Sequence, residues 1–299
     1  MAPGLMLAVA AASPQGAEDQ PPRTATLAGP EQVENRLHID SNAVSPVLPS
    51  NFARGYFDWK ARQQETNGFS IGGDYSTVYL KASDSPGEDD AFSGMYRLVG
   101  SWELTSDGDG NSGAIVFKAE HRHAYGSNLP PASLGFETGY IGLHEPPFSD
   151  QEARLTNLYW RQRMKGGDMA FVAGFVDPTD YLDVYTLASP WTGFFNFAFS
   201  PGSASIPLPN EGLGAALGGY VNENLYLIGG FANLNSDPTD PLEGFETLFD
   251  DRELFTHFEI GWNSSRETAF LNNVHLTLSL IHISEPTRPF TLSRMPSSA

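Results

Sequence analysis

The chain has 299 residues, of which 40% are hydrophobic and 18% charged, and it carries a formal net charge of -19. That charge excludes nucleic acid as a partner, because phosphate binding needs clustered Lys and Arg. The absence of cysteine excludes a disulfide framework and any thiolate metal site, while 30 Gly, 20 Phe, 11 Tyr and 5 Trp favour many short strands over helices.

The first stretch, "MAPGLMLAVAAASPQGAEDQ", has an apolar run over 5–12 followed by small residues up to Ala17. It has the composition of an export signal spanning 1–17. No basic residue precedes the run, so on this reading the true start is expected upstream, and the alternative is a disordered N-terminus. Residues 18–50, rich in Pro, Asn and Ser, are expected to be a mobile segment. The run from Asp58 to Gly68 predicts a short helix, with Asp58 as N-cap and Gly68 as stop.

After that helix the hydrophobic period changes from helical to two. Phe92, Tyr96, Leu98, Trp102 and Leu104 share one parity, against Ser93, Arg97, Ser101 and Glu103 on the other. "SDGDGNSG" (106–113) is a turn by composition. Ile115, Phe117 and Ala119 then oppose Lys118, Glu120 and Arg122, which completes a hairpin. The pattern recurs with Leu158, Trp160 and Met164 against Tyr159, Arg161 and Arg163, a turn at 165–168, and a return through Met169, Phe171, Ala173 and Phe175.

The stretch 212–230, "GLGAALGGYVNENLYLIGG", is long and apolar enough to suggest a membrane-spanning helix. A helix there would carry Asn222, Glu223 and Asn224 at its centre and several mid-span glycines, each costing about 1 kcal/mol against Ala. Two strands around an Asn-Glu-Asn turn avoid both penalties. Leu254, Phe258, Ile260 and Trp262 opposite His257 and Glu259 form a further strand, and another begins in 270–277.

From 126 onward, long and short connections alternate. Short turns at one end and long loops at the other characterise an outer-membrane barrel, and strands near ten residues suit a tilted bilayer crossing. The opposite parities then face a lumen: Arg97, Glu103, Lys118, Glu120, Arg122, Tyr159, Arg161, Arg163, His257 and Glu259, with a basic ladder over 118–122 and 159–163. The alternative is a soluble sheet whose charged face meets water.

The long connection 177–211 holds Asp177, Asp180, Asp183, Tyr181, Tyr185, Trp191, Phe194, Phe195, Phe197 and Phe199. The Gly- and Ala-rich strand after it leaves room for this loop to fold into the lumen. An acidic loop would then face a basic wall across a narrow passage, where aromatic faces could stack on sugar rings; the alternative is an aromatic loop sealing the rim. "DPTD" occurs at 177–180 and 237–240, as Asp-Pro turn initiation or as hard-oxygen calcium ligation. His121 and His123 suit either an interfacial belt or a two-His metal site that lacks a third ligand. No carboxylate pair, G-x-S-x-G, Walker or dinucleotide motif points to an enzyme.

Three blocks, "DVYTLASPWTGFFNFAFSPGS", "LPNEGLGAALGGYVNENLYLIGGFANLNSDPTDP" and "ELFTHFEIGW", resemble the carbohydrate-selective porin family of the OprB type. "GYFDWKARQQETNGFSIGGDY" is similar to the helix and first strand with which that family opens. The resemblance covers about 51–277 and implies an all-β antiparallel transmembrane barrel of the sixteen-stranded class, passing sugars by diffusion. About eight strands and the start of a ninth are visible, so the expectation is an incomplete N-terminal portion of that barrel. "LSLIHISEPTRP" (278–289) resembles a translated sequencing adapter, which makes 278–299 a non-native tail on this reading and an ordinary Pro-rich tail on the other.

The expected function is passive passage of small carbohydrates across the outer membrane of a Gram-negative bacterium, with no cofactor, no metal and no catalysis. Parity and loop composition nominate Arg97, Lys118, Glu120, Arg122, Arg161 and Arg163 on the wall, with Asp177, Asp180, Asp183 and Trp191 on the inward loop. The expected partners are small carbohydrates and outer-membrane lipid, with further copies of the chain left open. The alternative function is a soluble, secreted, β-rich carbohydrate-binding module.

Overall fold

A computed structural model describes residues 27, 29, 32–42, 53–126, 129–140, 146–185, 189, 194–200, 208–250, 252–266 and 273–282. Helix α1 (Val33–Asn42) and helix α2 (Arg54–Asn67) precede strand β1 (Phe69–Lys81). Strands β2 (Asp90–Ser106) and β3 (Ser112–Ala124) follow, then helix α3 (Pro131–Glu137) and strands β4 (Glu152–Met164) and β5 (Met169–Val176). The chain continues through β6 (Gly212–Tyr220), β7 (Leu225–Asn233), helix α4 (Glu243–Phe249), β8 (Leu254–Asn263) and β9 (Asn273–His282). All nine strands form one antiparallel sheet in sequence order.

Short turns set the register of the β2–β3, β4–β5 and β6–β7 hairpins, and longer connections join one hairpin to the next. The stretch 212–230 is a hairpin, with Tyr220 opposite Tyr226 and Gly214 opposite Ala232. In this antiparallel order β2–β3, β4–β5, β6–β7 and β8–β9 are joined at one end of the sheet, and β1–β2, β3–β4, β5–β6 and β7–β8 at the other. Among the described residues no helix is long and apolar enough to cross a membrane, which says nothing of strands.

The two faces differ in chemistry. Tyr96, Leu98, Trp102, Leu158, Phe171, Leu217, Phe231, Phe258 and Trp262 lie exposed on the outer face. Their neighbours of opposite parity, including Arg97, Lys118, Glu120, Arg122, Tyr159, Arg161, His257 and Glu259, are buried on the inner face. Glu103 has the inner parity yet is exposed, beyond the covered part of the wall. A bulge between Lys118 and Ala119 interrupts the β3–β4 ladder, and Thr156 Oγ1 donates to the Lys118 carbonyl there at 2.9 Å. An unbulged strand would turn Arg154 and Asn157 to opposite faces; the extra residue lets both be buried on the inner one.

One expectation changes. Helix α2 starts at Arg54, after Ala53 in the left-handed region and with no side-chain cap, so Asp58 lies within it. Gly68 does end it, at φ 64, where glycine avoids the Cβ penalty. Within 18–50, where composition suggests mobility, α1 packs against the wall, with Leu27, Val33 and Leu37 in the same apolar cluster as Val116, Val172 and Leu182. The ninth strand, expected to start in 270–277, is present as β9. Strand β9 continues through Leu278 and Leu280 to His282, paired with Phe258, Thr256 and Leu254; the alternation of apolar and polar residues holds as far as Leu280.

Candidate functional site: the charged inner face

The middle of the inner face is built from small side chains: Ala170, Val172 and Val176 on β5, Gly214 and Ala216 on β6, Gly230 and Ala232 on β7. That shallow trough receives the start of the 177–211 loop. Tyr181 and Leu182 pack into the apolar cluster, Leu182 with no exposure at all. The loop therefore does fold inward over its described residues 177–185. Burial holds the Tyr181 phenol well above its ordinary range, with Asp177 and Asp180 adding to the effect.

From this seat the loop straps the wall together. Lys118 Nζ on β3 is 3.3 Å from Asp180 Oδ1 and 3.9 Å from Asp177 Oδ2. Asn157 Nδ2 on β4 donates to Asp180 Oδ2 at 3.2 Å. Three residues later the Asp183 amide donates to Glu259 on β8 at 2.8 Å, and Asp183 Oδ1 lies 2.8 Å from His275 Nε2 on β9. Glu259 also accepts from Tyr226 at 2.8 Å and Thr277 at 2.7 Å. One short segment thus contacts strands on both flanks of the trough.

Helix α1 makes the second strap. Its Glu34 carboxylate is shared by Arg161 Nη1 and Arg163 Nη2, the latter at 2.8 Å. Arg36 reaches Asp74 on β1 at 3.5 Å, and Arg97 grips the same carboxylate bidentately at 3.0 and 3.1 Å. The Gly29 amide donates to the Asp180 carbonyl at 2.7 Å, tying the two straps. A Cβ at Gly29 would collide with the Asp180 backbone, so only glycine permits this approach.

Toward the long-loop end, Arg122 donates to Glu120 at 2.9 Å, and Arg154 Nη2 lies 2.5 Å from Glu211. Burial, then the Asp177 carboxylate, push the Glu211 carboxyl up despite Arg154. Between loop and wall remains a void of about 10 Å³ lined by Gln32, Asn157, Tyr159, Asp180 and Tyr181 among others. That is room for about one water.

Of the residues nominated from sequence, Arg97, Lys118, Glu120, Arg122, Arg161, Asp177 and Asp180 are all buried on this face, and Arg163 and Asp183 lie partly buried beside them. Trp191 lies outside the described residues. The basic ladder is not bare: acids from α1 and the loop occupy it. Of the loop aromatics, Phe194, Phe195, Phe197 and Phe199 are exposed rather than packed. Sequence reasoning missed Glu34, Asn157, Arg154 and Glu211; the spacing of Val33 and Leu37 on either side of Glu34 was the available signal for α1.

The two "DPTD" copies close on themselves as Asx turns, through Asp177 to Thr179 at 2.9 Å and Asp237 to Thr239 at 2.8 Å. His121 and His123 project on the outer face, where the His123 ring stacks on Tyr75 and Tyr96. Among the described residues no group of three or more His, Asp or Glu is placed to hold a metal ion.

No family model matches the chain, and no curated protein matches it. Among solved structures it is similar to Pseudomonas putida OprB in a high-pH form, with a TM-score of 0.54 over 74% of this chain. The nine-stranded antiparallel sheet has the fold of a stretch of such a β-barrel wall. The chain spans 55% of the length of OprB, and at 13% identity the likeness carries the fold and no residue's role.

Proposed function

We propose that the intact protein is an outer-membrane porin of a Gram-negative bacterium that passes small carbohydrates by passive diffusion, without catalysis or cofactor. The observation that carries this reading is the division of the sheet into an apolar exposed outer face and a charged inner face. A soluble domain has no use for so continuous an apolar surface, whereas a transmembrane barrel needs one. Strands β1 and β9 stand at the two edges of the sheet. Lipid does not tolerate unpaired edges, so the working unit closes with further strands.

In this reading Arg97, Lys118, Glu120, Arg122, Arg161 and Arg163 belong to the lumen wall, and Asp177, Asp180, Asp183 and Trp191 to the loop that narrows it. Paired guanidinium and carboxylate groups offer the donors and acceptors that sugar hydroxyls require. The test is swelling of liposomes containing the intact protein in mono-, di- and trisaccharides. Swelling rates that fall with sugar size, with heat-modifiable migration on gels, support the reading. Extraction without detergent and unswollen liposomes would refute it in favour of a soluble binding module.

A further inference from the structure

Helix α1 sits on the inner face as a ligand would. On β4, Arg161 and Arg163 direct two guanidinium groups at one carboxylate, Arg161 to Oε1 of Glu34 and Arg163 to Oε2. The wall itself offers them no counter-charge across the ladder. Arg161 is flanked by Ala114 and Val172, and Arg163 by Ser112 and Ala170. All four neighbours are small and uncharged, so the strands beside the pair supply no counter-charge and Glu34 is its carboxylate partner. Arg161 is 3% exposed, and the Nε donors of both arginines are buried without a partner among the described residues. A buried guanidinium with an unused donor is costly and is expected where a ligand supplies the acceptor.

We propose that Arg161 and Arg163 form a carboxylate site whose built-in occupant is Glu34, and that a sugar acid, a uronate, competes with α1 for it. The proposal rests on the porin reading for its sugar class and for the route by which the sugar arrives. Two arginines bridging one carboxylate are the recognition geometry for such a group. With the carboxylate held on the Nη groups, as that of Glu34 is, ring hydroxyls beside it would engage the two unused Nε donors. Other contacts that hold the segment are apolar, through Leu27, Val33 and Leu37, and polar, through Arg36 on Asp74 and the Gly29 amide on the Asp180 carbonyl. Displacing Glu34 therefore loosens the helix and uncovers the wall beneath it.

The chain contains no cysteine, so Val33→Cys gives a single thiol at a position with no exposure. Its maleimide labelling rate, measured on the protein refolded in detergent micelles, reports the docking of α1. Leu37→Cys serves as a second reporter should the first variant fold poorly. Sodium glucuronate at ten times its dissociation constant is expected to raise the labelling rate about tenfold by mass action, with no change in equal glucose. Arg163→Gln, at a partly exposed position, is expected to raise the basal rate and abolish the glucuronate response, and Glu34→Gln to raise the basal rate alone. Rates unmoved by glucuronate, or fast labelling in its absence, overturn the site. An equal response to acetate overturns the sugar component. Labelling that responds while liposomes fail to swell would sink the porin reading and leave the site standing; swelling without a labelling response does the reverse.

Discussion

Asp180→Asn should destabilise the protein by only about 1–2 kcal/mol, whereas Asp177→Asn together with Asp180→Asn should cost about 3–5 kcal/mol. Lys118 is 6% exposed, so its charge depends on these two carboxylates. Asp180 lies at 3.3 Å and Asp177 at 3.9 Å. Coulomb attraction falls as the inverse of distance, so the ratio 3.3/3.9 leaves Asp177 supplying about 85% of the attraction that Asp180 does. Removing Asp180 alone therefore leaves Lys118 with a counter-ion, and the new amide oxygen still accepts from Asn157. Removing both leaves a buried, unpaired ammonium. Adding Lys118→Met to the double variant should then recover most of the loss, because no uncompensated charge remains. The assay is urea unfolding in lipid vesicles, followed by the fluorescence of the five tryptophans. A triple variant no more stable than the double would refute the claim that Lys118 is held by these carboxylates.

Other substitutions probe the remaining links from sequence to fold. Leu182→Ala, at a side chain with no exposure, should cost about 2–5 kcal/mol through the cavity it opens beneath the strap, read as a lowered urea midpoint. Leu98→Arg, on the outer face, should cost about 2–4 kcal/mol in lipid if that residue lies near the bilayer midplane; a change within about 0.5 kcal/mol would instead mark a solvated surface. Gly68→Ala should cost about 1–2 kcal/mol, since φ 64 disfavours any Cβ and the added atom meets the Glu103 carbonyl. Glu211 makes stability depend on pH. Its folded pKa is raised above the ordinary 4.5, so its contribution is fully present below that value and is lost as pH rises through the raised folded pKa. Unfolding measured between about pH 4 and 7 should show this decline, and Glu211→Gln should flatten it.

The sequence by itself determined the sheet. Alternation in 92–104, 115–122, 158–164, 169–175 and 254–262, with apolar exceptions such as Met95 and Phe255 on the inner parity, fixes which side chains share a face, because successive residues of a strand point to opposite sides whatever the strand pairs with. The same local rule resolved 212–230 as a hairpin, since Asn222-Glu223-Asn224 is turn chemistry in any context. What only the tertiary structure decided is what covers the inner face. Glu34 and Arg161 are far apart in the chain, and no local pattern encodes their meeting. The bulge beside Lys118, which lets both Arg154 and Asn157 face inward, is likewise a property of two strands and not of one. Composition suggested mobility for 18–50 because that stretch is rich in Pro, Asn and Ser, yet within it lies α1. Its order comes from burying Val33 and Leu37 in a wall that the rest of the sheet supplies, and from a carboxylate that two arginines on that wall would otherwise lack.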